Sequence, residues 1–193
     1  MKKGILIFLA LLVVLALWYT TGYNALVSIE ESVSKQWANV ESQYQRRADL
    51  IPNLVATVKG YASHENETLE GVVSARAKAT QVTVDAESLT PEKLQEYQAA
   101  QGELSAALGR LLMITENYPD LKANQNFLEL QAQLEGTENR IQVERSRYNE
   151  ITGSFNTIIR RFPKNIIAAL SGFERKPYFE TEEGTQKAPN VAF

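Results

Sequence analysis

The residues of this chain that could carry out chemistry are few and lie far apart. The single histidine, His64, precedes Glu65, but the zinc-protease helix motif needs a second histidine four residues after the first. The chain has no cysteine, which excludes disulfide bonds, thiolate metal ligands, cysteine nucleophiles and a lipid-bearing N-terminal cysteine. The sequence also contains no glycine-rich phosphate loop and no nucleophile elbow. We therefore predict a protein that is not an enzyme and needs neither a cofactor nor a metal ion.

Carboxylates are the remaining candidates for a metal site. Helical bundles that hold two metal ions use a Glu-x-x-His motif on each of two helices, and one histidine cannot supply both motifs. Carboxylates alone can bind a hard cation, although this sequence has no dedicated loop for one. An enzyme component that depends on carboxylates therefore stays open as an alternative function.

Arg46, Arg47 and Asp49 are candidate interaction residues, because Arg47 interrupts an otherwise apolar helical stripe. Three interpretations of Arg47 are open at this point. It is a solvated charge, or it belongs to a polar layer in which it pairs with an acid such as Glu138, or it binds a partner. A polar layer of this kind can fix the register of packed helices at some loss of stability.

Two further places are candidate interaction sites. The segment 118–124 (YPDLKAN) is polar and turn-forming, and Asp120 and Lys122 within it are candidates for docking a partner. The chain ends on the apolar residues 191–193, so Phe193 is a candidate for binding a groove or another protein.

Composition and charge indicate a folded protein that does not bind nucleic acid. The chain has 193 residues, of which 44% are hydrophobic and 22% charged, as is usual for a single folded domain. Its net charge is −3, and without Lys2 and Lys3 the remaining 18 basic residues face 23 acids, giving about −5. A nucleic-acid surface needs a basic stripe to match phosphates, so this balance argues against one.

The N-terminal region has the pattern of a membrane anchor over residues 4–25. No charged residue lies between Lys3 and Glu30, and a bilayer core about 30 Å thick needs roughly 20 helical residues. Aromatic residues, which favour the membrane interface, crowd the end of the apolar run at 18, 19 and 23. Because a signal-peptide cleavage site requires small residues at that position, we favour an uncleaved anchor over a cleaved signal peptide.

Charge around the anchor predicts the topology. Lys2 and Lys3 would keep residues 1–3 in the cytoplasm by the positive-inside rule, which places the rest of the chain outside. Lys35, Arg46 and Arg47 on the other flank weaken this prediction. We expect a single-pass membrane protein with an extracytoplasmic domain on the periplasmic side of the inner membrane.

Apolar periodicity predicts an all-α fold in residues 26–175. Four helices are indicated, and short connections between them favour an antiparallel up-and-down four-helix bundle in which the first and last helices are long and coiled-coil-like. The first covers residues 24–64, and Pro52 is expected to kink it near residues 47–51. The second ends near Val84, and the third runs from a Thr90 cap to about residue 117.

The fourth helix is predicted to start at an Asn124 cap and to keep an apolar stripe as far as Phe162. One more short helix follows, with Asn165 as its cap and Gly172 as its end. Residues 176–193 contain Pro177, Gly184 and Pro189 and are expected to be extended or mobile.

Several segments together resemble the LemA family of bacterial membrane proteins. The resemblance is carried, in order, by residues 43–62 (QYQRRADLIPNLVATVKGYA), 118–124 (YPDLKAN), 134–141 (LEGTENRI), 147–149 (RYN) and 188–193 (APNVAF). It implies an anchored helical bundle, and the family has no agreed activity or catalytic residues. A magnetosome protein that resembles the family suggests membrane organisation, and the association of family members with a membrane metalloprotease suggests quality control.

These observations favour a scaffolding or protein-interaction role at the cell envelope. The expected partners are membrane lipid, contacted by the N-terminal helix, and unknown proteins, for which a membrane protease and a second copy of the chain are candidates. The alternatives are an oligomer that shapes or organises the membrane and the carboxylate-dependent enzyme component.

Overall fold

The structure, a computed structural model, describes residues 2–180, and the remainder of the predicted tail, including Phe193, lies outside the described residues. It is all-helical, with no strand between residues 2 and 180. A short 3-10 turn at Ala86–Ser88 accompanies six α-helices: α1 (Lys2–Tyr61), α2 (Asn66–Gln81), α3 (Pro91–Thr115), α4 (Pro119–Lys122), α5 (Gln125–Ile158) and α6 (Lys164–Ser171).

Helix α1 joins the predicted anchor and the predicted first bundle helix into one element. Its 60 residues would span about 90 Å at 1.5 Å per residue. The helix continues uninterrupted through residues 47–51, where the sequence predicts a kink, and through Pro52, which lies exposed on the outer face. No loop therefore separates the apolar N-terminal part from the part that packs.

The long helices pack in pairs, with α1 along α5 and α2 along α3, and α1 also contacts α2. Two apolar clusters result. The proximal core, nearer the apolar end of α1, is rich in aromatic side chains and includes Leu26, Trp37, Tyr97, Tyr148, Phe155 and Phe179. The distal core is mostly aliphatic and includes Ile51, Leu54, Val72, Leu104, Leu111 and Leu134.

Helix boundaries follow local chemistry at several predicted positions. The Thr90 hydroxyl accepts a hydrogen bond from the Lys93 N–H, and the Asn124 side chain accepts one from the Phe127 N–H at 3.0 Å. Each bond satisfies an amide that the first turn of a helix leaves without a partner. Both predicted N-caps are thereby confirmed.

Three details of the region from 118 to 172 differ from or refine the sequence analysis. Helix α5 ends at Ile158, so Phe162 does not continue its stripe and is 80% exposed. The predicted Asn165 cap is wrong, because α6 begins at Lys164, two residues earlier than that cap implies, and Pro163 occupies the capping position. The predicted end is confirmed, since Gly172 takes a φ of 76°, a left-handed conformation that favours glycine.

After α6 the chain turns back along α5 as an extended segment, Phe173–Glu180, which we call the C-terminal strap. Phe179 of the strap is buried in the proximal core. The described part of the predicted tail is therefore extended, and it is packed.

Candidate functional site: the Arg47 layer and the C-terminal strap

Arg47 lies between the proximal and distal cores with only 2% of its surface exposed. Its inward position follows from the α1 stripe, on which it falls one turn after Tyr44 and one turn before Ile51. The interpretation of Arg47 as a solvated charge is therefore wrong.

The guanidinium group of Arg47 is held from α3 and α5. One terminal nitrogen donates to the Ser105 hydroxyl at 2.8 Å and to the Glu138 carboxylate at 2.9 Å. The other donates to the side-chain oxygen of Gln101 at 2.7 Å and to its backbone carbonyl at 3.2 Å. We call these four residues the Arg47 layer. The pairing with Glu138 is the one that the polar-layer interpretation of the sequence names.

The layer also reaches α2 and touches solvent at one side. The Gln101 side-chain amide donates to the Ala79 carbonyl at 3.2 Å, which ties α2 to the layer. The Tyr44 ring lies 5.1 Å from the guanidinium carbon, in cation–π range. A cavity of about 70 Å³ opens beside the guanidinium, and the Glu138 side chain at its edge is 42% exposed. The arrangement joins α1, α2, α3 and α5 by hydrogen bonds while leaving one carboxylate in contact with water.

The other residues of the predicted Arg47 group face outward. Arg46 and Asp49 are both exposed, and Asp49 accepts a hydrogen bond from the Gln45 amide at 2.8 Å. The structure thus separates Arg47, which is internal, from two neighbours that remain accessible for interaction.

Asp120 and Lys122 are exposed on α4, at the far end of the helices. Lys122 pairs with Glu116, and the Asn124 amide donates to the Tyr61 hydroxyl at 2.9 Å at the C-terminal end of α1. Because Tyr61 follows Arg47 by fourteen residues, this tip lies about 20 Å along α1 from the layer. The sequence-based candidates therefore form two distant surfaces rather than one site.

Two asparagines of α5 hold the strap. The Asn149 side chain accepts from the Phe179 N–H at 2.8 Å and donates to the Phe179 carbonyl at 2.9 Å. Asn156 makes the same pair of bonds to the backbone of Lys176, at 2.9 and 2.8 Å. A carboxamide carries one acceptor and two donor hydrogens, so it can pair with both polar groups of one extended residue.

The spacing of these asparagines matches the strap. Seven helical residues from Asn149 to Asn156 rise about 10.5 Å, and three extended residues from Lys176 to Phe179 span about 10 Å. Sequence reasoning missed this pairing, although Asn149 lies within a segment that carries the family resemblance. The match between the helical rise and the length of the strap was the signal available in the sequence. A search for apolar periodicity does not detect it.

Aromatic rings complete the proximal core around Trp37. The Trp37 ring stacks on Phe179 at 5.6 Å and meets Tyr97 and Tyr148 at 5.4 and 5.7 Å, while its indole N–H donates to the Val84 carbonyl at 2.9 Å. Burial raises the pKa of Tyr148 to about 12, and burial likewise raises the pKa of Tyr97. Both phenols therefore stay neutral at ordinary pH.

Metal-ligating side chains do not gather in the described part of the chain. Among residues 2–180 no group of three or more His, Asp or Glu side chains is placed to hold a metal ion, and His64 is exposed.

The N-terminal part of α1 differs from everything around it. An 18-residue window of this helix has a mean hydropathy of 2.4, and none of its residues is buried. It is the one helix within residues 2–180 that is long and apolar enough to cross a membrane.

Comparisons with known proteins cover most of the chain. The model of the LemA family matches residues 36–193. Magnetosome protein MamQ 2 of Paramagnetospirillum magneticum is 27% identical over 82% of this chain, and MamQ of Magnetospirillum gryphiswaldense is 27% identical over 81%. The match spans 64% of the length of each of these relatives. Protein LemA of Metamycoplasma hominis is 26% identical over 86% of this chain and 72% of its own length.

The names of these relatives describe no enzymatic activity, and the magnetosome relatives together with the apolar part of α1 indicate association with a membrane. The family match includes the Arg47 layer, both asparagines that hold the strap, and the strap itself. This protein belongs to the LemA family.

Proposed function

We propose that this protein is a single-pass scaffold of the cell envelope, in which α1 crosses the bilayer and carries an up-and-down four-helix bundle that binds other proteins. One observation carries the proposal: the apolar part of α1 that nothing in the protein buries and the part that forms the core belong to one uninterrupted helix. A hydrocarbon environment explains an exposed run of this kind, since water does not stabilise it.

An uninterrupted helix would couple the bundle to the membrane without a flexible linker. From Tyr23 to Tyr61 the helix rises about 57 Å, so the α4 tip would stand at a defined height above the bilayer. This rigidity suits a scaffold, whose task is to hold a partner at a set place, and it needs no reactive group.

The residues that we propose to bind a partner lie on the exposed surface. Arg46 and Asp49 lie on the outer face of α1, and Asp120 and Lys122 lie at the tip. We propose the tip as the main docking surface, because it combines both charges on a short helix that closes the end of the fold. The partner would be another envelope protein, with a membrane protease or a second copy of this chain as candidates, and the bundle would face the periplasm.

Photocrosslinking in native membranes tests the scaffold. A photoreactive residue at Asp120, in the full chain, should give a discrete crosslinked species, and the same residue at exposed Glu129 on α5 serves as the matched control. Two differently tagged copies distinguish self-association from a different partner. Absence of a discrete product from positions 120, 122, 46 and 49 alike would contradict the scaffold.

The anchor and its direction have separate tests. Placing charges in the apolar run, as in Leu9→Glu together with Leu12→Glu, should release the protein from carbonate-washed membranes. Protease added to spheroplasts should then cut the bundle of the unaltered protein, and protection of the bundle would reverse the proposed topology.

A further inference from the structure

We propose that α6 and the turn before it, residues 160–171, form a second membrane contact that lies in the headgroup region of an anionic bilayer. This inference rests on the proposed membrane anchor and adds a lipid-binding surface within the helical domain.

The position of α6 along α1 is fixed by three contacts. The Tyr19 hydroxyl lies 2.9 Å from the Ser171 hydroxyl, and Ile167 packs so closely on Gly22 that a Cβ atom there would clash with it. Just after α6, the Phe173 ring lies 5.7 Å from that of Tyr23. Helix α6 is therefore held against the 19–23 stretch of α1.

That stretch is where the anchor would leave the hydrocarbon. Gly4 to Tyr23 rises about 30 Å, which is the thickness of a bilayer core. Tyrosines favour this depth because their rings are apolar and their hydroxyls polar. Any element packed on Tyr19, Gly22 and Tyr23 consequently sits at the boundary between hydrocarbon and headgroups.

The outer face of this element is apolar. Phe162, Ile166 and Leu170 recur at every fourth residue and are 80%, 43% and 73% exposed. The opposite face, with Ile167 and Ala168, is buried against the proximal core. Helix α6 thus has two apolar faces. One is buried against the protein, and the other is left uncovered by residues 2–180.

The charges beside this face have one sign. Arg160, Arg161 and Lys164 fall within five residues, and the sequence contains no Asp or Glu from residue 151 to residue 173. The chain as a whole has a net charge of −3, so this is a local reversal. Basic residues flanking an apolar face are the composition that binds anionic lipid surfaces.

Lipid is the occupant that this geometry favours over a second protein copy. The apolar face continues from an anchor that lipid would already surround, and the nearby basic groups complement anionic headgroups. A second copy would need to bring acidic groups to a depth at which its own equivalent surface is basic.

Measuring the membrane depth of single labels tests the inference. Because the chain has no cysteine, each introduced cysteine is the one site that is labelled. Three variants of the full chain, Leu170→Cys, Leu12→Cys and Met113→Cys, carry an environment-sensitive fluorophore in vesicles of phosphatidylcholine and phosphatidylglycerol. Leu12 reports the anchor, and Met113 is an exposed control at the end of α3 far from the bilayer. Circular dichroism checks that each variant folds.

Brominated lipid should quench the labels at 12 and 170 strongly and leave the label at 113 nearly unchanged. A label at 170 that is no more quenched than that at 113 overturns the inference, whether its emission reports water or a covering protein copy. An unquenched label at 12 would instead overturn the proposed anchor, so the two failures are distinguishable.

A separate experiment tests the role of the basic residues. In the Leu170→Cys background, Arg160→Glu with Arg161→Glu should reduce quenching at 170 in anionic vesicles. The matched control, Arg140→Glu on the exposed surface of α5, should not reduce it. Equal quenching with and without the two arginines contradicts the role assigned to anionic headgroups.

Discussion

The proximal and distal cores share α1, α3 and α5 but are completed in different ways. In the distal core α2 supplies the fourth wall, through Leu69, Val72, Ala75 and Ala79. In the proximal core α2 has ended, and the loop residues Val84 and Leu89, helix α6 and Phe179 of the strap take its place. The distal half is thus built mainly by helix periodicity, with Ala62 and Leu121 of the connections closing its end, whereas the proximal half depends on irregular backbone that must be hydrogen-bonded where it is buried.

Among the substitutions that test this difference between the two cores, removing the Trp37 side chain should lower the free energy of unfolding the most. Truncating a buried tryptophan typically lowers the free energy of unfolding by about 3–5 kcal/mol, and Trp37→Ala also removes the ring on which Phe179 stacks. Urea unfolding of the full chain in detergent, followed by circular dichroism, measures the loss.

Two controls accompany this experiment. Trp18→Ala, in the apolar part of α1, should leave the unfolding free energy of the packed region nearly unchanged. Leu54→Ala in the distal core should be destabilising without increasing hydrogen exchange in the strap. A Trp37→Ala loss below about 1 kcal/mol, as is usual for surface substitutions, would contradict its place in the core.

The Arg47 layer lies between the two cores, and disrupting it should cause the second-largest loss of stability. Arg47→Met leaves the side-chain oxygen of the buried Gln101 without its partner, which typically costs about 1–3 kcal/mol, whereas the exposed Ser105 hydroxyl keeps its bond to the Gln101 carbonyl and adds little. Glu138 is 42% exposed and can turn to water, which keeps the loss below that of a fully buried ion pair.

Rescue separates the partners of Arg47. Adding Gln101→Leu to Arg47→Met should restore more stability than adding Glu138→Leu, because Gln101 is the more deeply buried partner. Arg46→Met is the matched control, and as an exposed substitution it should stay within about 0.5 kcal/mol of the unaltered protein. Greater rescue by Glu138→Leu would mean that the carboxylate, and not the amide, dominates the layer.

The distal half shows what sequence can predict here. Its helices and the Asn124 cap follow from residues three or four apart on one helix and from antiparallel neighbours, and the same rules bring Arg47 opposite an acid of α5 such as Glu138. These are local rules, and they need only a few assumptions about which helices meet. The partner-binding roles of Arg46, Asp49, Asp120 and Lys122 stay predictions.

The proximal half shows what sequence could not predict. Phe179 contacts Trp37 across more than 140 residues, and no periodic pattern encodes that approach. Asn149 and Asn156 look like ordinary polar residues on a helix, because an asparagine that pairs with a strap cannot be told from a solvated one without the strap's path. The predicted stripe included Phe162 because its four-residue step from Ile158 keeps the helical spacing, although the helix ends at Ile158.

The asparagines that hold the strap provide the third prediction. Asn156→Ala leaves the N–H and carbonyl of Lys176 without a partner in a largely buried place, so we expect a loss of about 1–2 kcal/mol. Asn149→Ala should be milder, because Asn149 is less deeply buried than Asn156. Asn139→Ala, at an exposed position of the same helix, is the control and should change little.

Local opening distinguishes this loss from a general weakening. In Asn156→Ala the strap amides should exchange faster, and trypsin should cut earlier after Arg175, while exchange in the distal core stays unchanged. Equal acceleration of exchange in both cores would show that the strap is not an independent closing element.

The smallest expected effect concerns Glu41, which lies on α1 beside the loop that replaces α2. Burial raises the pKa of the Glu41 carboxyl above its ordinary value of 4.5; the indole of Trp37 offsets part of the rise, and Asp85 adds to it. The folded protein therefore binds this proton more tightly than the unfolded chain, and stability falls as pH rises from 4.5 through the raised pKa. Above that pKa the penalty is fully present, and below 4.5 it is absent.

Glu41→Gln should accordingly raise the melting temperature slightly at pH 7, and the gain should vanish as the pH falls below 4.5. Glu70→Gln, at an exposed site on α2 beside the distal core, is the control for the substitution itself and should change the melting temperature at pH 7 less than Glu41→Gln does. If the rise in melting temperature of Glu41→Gln persists unchanged at low pH, it comes from packing and not from the carboxylate charge. The loop that completes the proximal core would then not differ electrostatically from α2, which completes the distal core.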